Sequence, residues 1–371
     1  MKLGEVCEII NGRNQKAVEC DDGQYPIYGS GGNIMGYASD YLCEAGTTII
    51  GRKGSINNPI YIDTKFWNVD TAFGISSKPM MSSKFVYYFC KSFDFSKLNK
   101  GTTLPSLVKK DLLLIDIPAP SLSEQQRIVA LLDAEFAKID ALKANAEKNL
   151  QNSKDLFQAA LKKELEPKEG WEKSIVGNVC SIISGYAFDS QGYSSNENDT
   201  LLICGDNIVH CAFRWETIKR WNKDKYEDLR RFAIQENDIV LAMDRPWVKS
   251  GLKIAKVSKR ELPSLLIQRT ACIRAKEGIE SEFIYFALQN DAFSKYLIEQ
   301  QTGVGVPHIS GKQIMNYEIS LPSLPIQQSI VSRLDTLNEK CKALQANYEK
   351  TLSLCDDLKQ ALLRKAFNGE I

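Results

Sequence analysis

Two stretches of this chain repeat each other without a gap. Residues 120–163 begin Pro-Ser-Leu-Ser-Glu-Gln-Gln-Arg-Ile-Val, and residues 322–365 begin Pro-Ser-Leu-Pro-Ile-Gln-Gln-Ser-Ile-Val. Roughly half of the aligned positions are identical, with Leu-Asp, Ala-Asn and Glu-Lys also in register. A repeat this long marks a duplication, so the fold must accommodate two similar units.

The match extends upstream. Gly101-Thr-Thr-Leu-Pro-Ser-Leu faces Gly303-Val-Gly-Val-Pro-His-Ile at the same spacing. Near the two starts, Leu3-Gly-Glu-Val-Cys-Glu-Ile-Ile-Asn-Gly parallels Val176-Gly-Asn-Val-Cys-Ser-Ile-Ile-Ser-Gly, but at a shorter spacing. The spacing changes because the middles differ in length and sequence. Each half therefore has a similar start, a divergent middle, a G-x-x-x-P loop and a similar closing segment. This predicts globular domains over residues 1–119 and 167–321, each followed by a long helix, over 120–166 and 322–371.

The closing segments carry helical periodicity. Ile330, Leu334, Leu337, Cys341, Leu344, Tyr348, Leu352, Cys355, Leu358 and Leu362 recur every three or four residues. Ile128, Leu132, Phe136, Ile139, Leu142, Ala146, Leu150, Phe157 and Leu161 fall on one helical face in the first copy. This is a heptad-like stripe. Neither segment holds an interior Pro or Gly, and Ser121 and Ser323 follow prolines where N-caps belong. Helices of ~40 residues are ~60 Å long. Two such helices with long apolar seams pack most simply as an antiparallel coiled coil, giving the chain a pseudo-two-fold.

Between these landmarks the chain reads as α+β. Strands are expected at 47–51, 60–62, 238–243 and 252–257, and helices at 82–93 and 281–297. Phe85, Tyr87, Tyr88, Phe89, Phe283, Tyr285 and Phe286 are expected in cores rather than stacked on bases.

Charge and composition narrow the function. The 47 basic and 46 acidic residues leave a net charge of +1, which excludes a polybasic arm and an acidic tail. No run reaches the roughly 18 apolar residues that would span a bilayer. The first residues lack the layout of a signal peptide, so the expectation is a cytoplasmic chain without a membrane partner. The ten cysteines form no C-x-x-C pair and lie mostly in apolar runs, as buried free thiols do. His210–Cys211 is the one adjoining pair a zinc ion could use, and it falls short of a metal site.

Catalytic motifs are missing. Gly51-Arg-Lys-Gly-Ser lacks P-loop spacing, and Asn57-Asn-Pro-Ile lacks the second proline and the aromatic of an amino-methyltransferase motif. No nucleophile elbow or metalloprotease motif is present, so no catalytic residue, metal or cofactor is assigned to this chain. The divergent middles instead carry polar clusters suited to nucleic acid. They are Tyr28, Ser30 and Asn33 in a glycine loop; Arg52, Lys53 and Ser55 in a glycine-flanked turn; and Lys100, Thr102 and Thr103. The second half offers Asn207, Arg214, Arg220, Arg245, Lys249, Gln268 and Arg269. Cations position phosphate, Arg reads guanine in bidentate fashion, and Asn or Gln reads adenine.

Together, G-T-T-L-P-S-L with P-A-P-S-L-S-E-Q-Q-R-I-V-A-L-L-D, and G-V-G-V-P-H-I-S with L-P-S-L-P-I-Q-Q-S-I-V, resemble the specificity subunit of type I restriction–modification enzymes. The resemblance spans essentially the whole chain. Ile326 departs from it, standing where the first repeat has Glu124. It implies two target-recognition domains, each reading half of a split double-stranded DNA site, with the helix pair setting the unread gap. It also implies two adenine-N6 methyltransferase subunits docked on the chain, with restriction subunits as further partners. The Gln125-Gln126 and Gln327-Gln328 pairs are the expected docking positions. S-adenosylmethionine, ATP and Mg would sit on the partners. Rival readings are a specificity subunit serving a fused methyltransferase–nuclease, a coiled-coil scaffold with two protein-binding heads, and an enzyme with unrecognised motifs.

Overall fold

A computed structural model describes residues 1–301 and 307–371; the Gly-Val-Gly-Val stretch of the second G-x-x-x-P loop, residues 303–306, lies outside the described residues. The chain forms two compact units that are interleaved in sequence. One comprises Met1–Asn149 with Asn347–Ile371, the other Leu150–Ala346.

In the first unit, seven strands follow one another: β1 (Cys7–Asn11), β2 (Tyr25–Tyr28), β3 (Ile34–Ala38), β4 (Thr47–Gly51), β5 (Ile60–Ile62), β6 (Trp67–Asn68) and β7 (Ala72–Ser77). The main sheet runs β1-β7-β4-β5 and is antiparallel throughout. A smaller sheet runs β3-β2-β6, with β2 and β6 parallel. Thr47-Thr-Ile-Ile-Gly is buried at every residue, as a β-branched central strand covered on both faces should be. Helix α1 (Ser83–Ser92) turns Phe85, Val86 and Phe89 into the core. The long helix α2 (Leu122–Glu164) follows.

The second unit repeats this plan with insertions. Its strands include β8 (Cys180–Ser184), β9 (Thr200–Ile203), β10 (Ile208–Val209), β11 (Ala212–Phe213), β12 (Lys219–Trp221), β13 (Ile239–Ala242), β14 (Ile254–Lys256), β15 (Ser264–Leu266) and β16 (Thr270–Ala275). The main sheet runs β8-β16-β13-β14, the same order as before. Registers agree too. Ile9 faces Ile75 as Ile182 faces Ile273, and Gly51 faces Ala72 as Ala242 faces Thr270. Gly12 and Gly185 occupy equivalent crossings, where an added Cβ would lie 1.8 Å from Val69 O and 1.9 Å from Ile267 O.

The single helix expected over 281–297 is instead two, α3 (Ser281–Gln289) and α4 (Asp291–Gln300). Asn290 between them is extended, and its side chain accepts from Ala292 N at 3.0 Å. This local capping bond competes with helix continuation, and apolar periodicity alone did not register it. The last element is the long helix α5 (Leu324–Phe367).

α2 and α5 pair antiparallel. As α2 positions rise through Asp140, Lys143 and Glu164, their α5 partners fall through Lys359, Asp356 and Arg333. Within the first unit, Ile128 and Leu132 share a core with Leu363 and Ala366. Within the second, Phe157 and Leu161 share one with Ile330, Leu334 and Cys341. Not all of the expected seam is covered: Leu142, Leu344 and Leu358 are exposed. A helix with one partner buries only a narrow stripe, leaving adjoining apolar positions in solvent.

Candidate nucleic-acid interface

In the first unit the candidate loops meet. The Gly51–Ser55 turn leaves β4 with Arg52 N donating to Thr71 O at 2.8 Å, and Gly54 N donating to Pro105 O at 2.9 Å. Leu107 N returns a bond to Arg52 O, and Lys100 N closes on Ser106 O, both at 2.9 Å. Asn99 Oδ1 holds this second loop by accepting from Gly101 N and Ser106 N. Arg52, Lys53, Ser55, Lys100, Thr102 and Thr103 are therefore exposed on two abutting loops. The Tyr28–Asn33 loop lies alongside, with Asn58 Nδ2 donating to Gly31 O at 3.5 Å. Asn33 is exposed; Ser30 is half-buried, as is Tyr28, whose ring packs edge-on to Phe66.

Arg13, which the sequence reading did not single out, meets the 68–71 segment that also holds Arg52. It is exposed, its N donates to Asn68 O, and its carbonyl accepts from Trp67 Nε1, both at 3.0 Å. The signal was the Asn-Gly-Arg that closes the first start motif, which reads as an ordinary turn until β6 is folded against it.

The second unit builds the same frame with different side chains. Arg245 N donates to Pro307 O, Ile309 N to Met243 O, and Met243 N to Arg269 O, each at 2.9 Å. Arg245 thus stands where Gly54 stands in the first unit, and both have positive φ, 46° and 82°. Asp244 takes the place of Lys53, His308 that of Ser106, and Arg269 that of Thr71. Asp244 is the hub: its carboxylate receives Arg269 and His308. Burial pushes this carboxyl up, but those two hydrogen bonds outweigh the burial and hold it below the usual carboxylate range. Arg269, also at positive φ, 65°, keeps a largely exposed guanidinium. Gln268 is exposed beside it. Arg214 and Arg245 both act on buried Lys253, whose ammonium is lowered first by desolvation. Lys249 is exposed on its own turn, and among the described residues no contact ties it to this cluster.

Four of the expected site residues are held by internal hydrogen bonds. Asn207 is 1 % exposed. Its amide donates to Arg214 O and Thr217 O, and its oxygen accepts from Cys204 N. All its polar capacity is spent on holding the 204–218 loop. Gln125 and Gln327 are likewise buried and cannot dock a partner. Gln125 Oε1 accepts from Ser82 N at 2.8 Å, and its Nε2 donates to Pro120 O at 2.9 Å. Gln327 mirrors this, with Glu280 N at 2.9 Å and Pro322 O at 2.8 Å. Each glutamine anchors a long helix to the N-terminus of α1 or α3. Gln126 and Gln328, one residue on, are exposed. Arg220 is half-buried on β12, where its guanidinium donates to Asp199 O at 2.9 Å.

No His/Cys/Asp/Glu cluster that could hold a metal occurs among the described residues, and His210–Cys211 gathers no further ligand. All ten cysteines are free. No described helix is long and apolar enough to cross a membrane.

The profile described as "Type I restriction modification DNA specificity domain" matches this chain twice, over residues 1–152 and 168–353. The chain belongs to that family. The duplicated frame is thus one specificity domain in two copies. Among curated members, the MjaVIII specificity subunit of Methanocaldococcus jannaschii is 26% identical over 91% of this chain and 85% of its own length. The EcoAI specificity subunit of Escherichia coli is 35% identical over 49% of this chain, but the match spans only 31% of that protein. Among solved structures, a chain from a study of complex assembly and conformational transition in the type I R-M system has a TM-score of 0.80 at 19% identity, covering 100% of this chain and 97% of that one. The HsdS subunit of Thermoanaerobacter tengcongensis has a TM-score of 0.54 at 20% identity, covering 100% and 96%. Both share the fold. Members of the family are the non-catalytic specificity components of type I systems.

Proposed function

We propose that the two units are target-recognition domains, each reading half of a bipartite double-stranded DNA site. Residues 1–119 and 167–321 would carry the readers, and 120–166 and 322–371 the spacer helices. One observation carries this reading: a single hydrogen-bonded frame presents different chemistry in its two copies. Lys53, Ser106 and Thr71 in the first become Asp244, His308 and Arg269 in the second. One scaffold with two faces suits an asymmetric target. Backbone amides and exposed cations would hold phosphate, while Arg52, Gln268 and Arg269 would reach base edges. The chain would contribute no catalytic group. It would direct adenine-N6 methyltransferase subunits, with restriction subunits as further partners, to adenines that they flip out and modify. S-adenosylmethionine, ATP and Mg would bind those partners, in the cytoplasm. In the first unit, the exposed Leu142 and Leu358 would offer a surface for such docking.

The test is co-expression with its cognate methyltransferase subunit, followed by genome-wide mapping of N6-methyladenine. Methylation at one split motif with a fixed gap is expected. An intact complex that methylates no such motif would exclude the reading.

A further inference from the structure

The duplication provides an internal comparison for a cleft in the first unit. Helices α1 and α3 align residue for residue, Tyr87 with Tyr285, Tyr88 with Phe286 and Lys91 with Gln289. Beside α3 the space is filled. The β10–β11 hairpin turns there at His210–Cys211, Cys211 adopts φ 57°, and its thiol donates to Gln289 Oε1 at 3.2 Å. Tyr285 behind the turn is buried. Phe157 of α2 closes the other side, edge-on to Phe286 at 6.0 Å.

Beside α1 the same space is open. The first unit has only residues 29–33 between β2 and β3, where the second has 204–218 between β9 and β12. Lys359 stands where the second unit has Phe157. The result is a cleft of about 590 Å³ whose lining includes Tyr87, Tyr88, Lys91, Asp133, Asp140 and Lys359. Tyr87 is half-buried where Tyr285 is buried.

Charge identifies what the cleft lacks. Asp133 is engaged by Lys84 at 2.8 Å and by the Tyr88 hydroxyl. Asp140 is paired with Lys359, and Asp356 with Lys143 at 2.8 Å. Lys91 is half-buried, and among the described residues no carboxylate pairs with it. Burial, and then the nearby Lys359 charge, hold its ammonium below the ordinary lysine range. A desolvated cation without a counter-ion is the group most improved by an incoming carboxylate.

We propose that this cleft receives a turn of the methyltransferase partner, carrying an acidic side chain that pairs with Lys91. The proposal rests on the assembly reading above. The hairpin turn at His210–Cys211 already occupies the matching place in the second unit, so the two units offer unequal docking surfaces.

The test uses the full chain co-expressed with that methyltransferase. Native mass spectrometry and titration would compare wild type, Lys91→Glu and Lys359→Phe. Lys359→Phe transplants the residue of the second unit and fills the cleft with an apolar ring. Both variants are expected to keep the wild-type circular dichroism and to hold the partner at the first unit about tenfold more weakly or worse. Lys359→Phe should also melt no lower than wild type, a result that a merely damaged surface would not give. If Lys91→Glu does not fold, Lys359→Phe alone decides. Wild-type affinity in a folded variant overturns the proposal. So does a second copy of this chain, rather than the partner, being lost from the variants. A wild-type chain that binds no partner defeats the assembly reading itself, and is recognised before any variant is made.

Discussion

Gly12 and Gly185 are invariant between the repeats because a neighbouring carbonyl occupies the space of a Cβ. Gly12→Ala or Gly185→Ala must displace backbone rather than a side-chain tip. Each is expected to cost about 3 kcal/mol in a chemical denaturation curve. Gly54 is different: nothing lies near its missing Cβ, and only its φ of 82° opposes a side chain. Gly54→Ala should cost about 1 kcal/mol. The recognition residues obey another logic. Arg52 and Lys53 are exposed, so Arg52→Ala with Lys53→Ala should leave the melting curve unchanged while weakening DNA binding. The salt dependence should become shallower by about one counter-ion, from loss of Lys53 on phosphate. Unchanged affinity in the folded double variant would remove this turn from the interface. Residue type told only part of this story. Asn207 has the chemistry of an adenine reader, yet its partners are all internal, and no sequence spacing reveals that. Asp244 and His308 were passed over because each looks unremarkable until Arg269 folds beside it.

At the scale of elements, the repeated glutamines join a long helix to a sheet-packing helix. Gln125→Leu keeps the shape but leaves the half-buried Ser82 amide without its acceptor, which costs roughly 1 kcal/mol. Hydrogen exchange should accelerate first at the start of α1. The Arg333–Glu164 pair of α5 and α2 has a readable pH signature. The Arg333 hydrogen bond holds the Glu164 carboxyl below the ordinary glutamate range. Its stabilisation is therefore complete above the unfolded glutamate pKa and is lost as pH falls through the lowered folded value. Wild type should exceed Arg333→Ala by less than about 1 kcal/mol near neutrality, since the arginine is half exposed. The gap should vanish on acidification, and a gap that persists in strong acid would assign the effect to packing. Helix existence and phase were plain in the heptads. The break at Asn290 was not, because a capping bond and an interior helical residue look alike in periodicity.

For the whole molecule, the proposed division of labour separates reading from spacing. Inserting one heptad into α2 and α5 at facing positions keeps the seam in phase. It adds ~10 Å of helix, or ~3 base pairs of duplex. The methylated motif should retain both half-sequences and lengthen only its gap. A changed half-sequence would contradict the separation. The interleaved units explain why a linear segmentation could not anticipate which residues pack together: each long helix begins in one unit and ends in the other.

What the sequence determined by itself was duplication, helix phase, the place of a few core strands and family, because each is written in local spacing or in identity between repeats. What tertiary structure decided was which polar residues are spent internally and which remain free. Gln125, Gln327 and Asn207 were drawn inward by backbone amides and carbonyls far along the chain or across a loop. Lys91 has no carboxylate partner among the described residues because the carboxylates around it are paired with Lys84, Lys143 and Lys359. Hydrogen-bond satisfaction is a property of the folded neighbourhood, so only the assembled units could assign it.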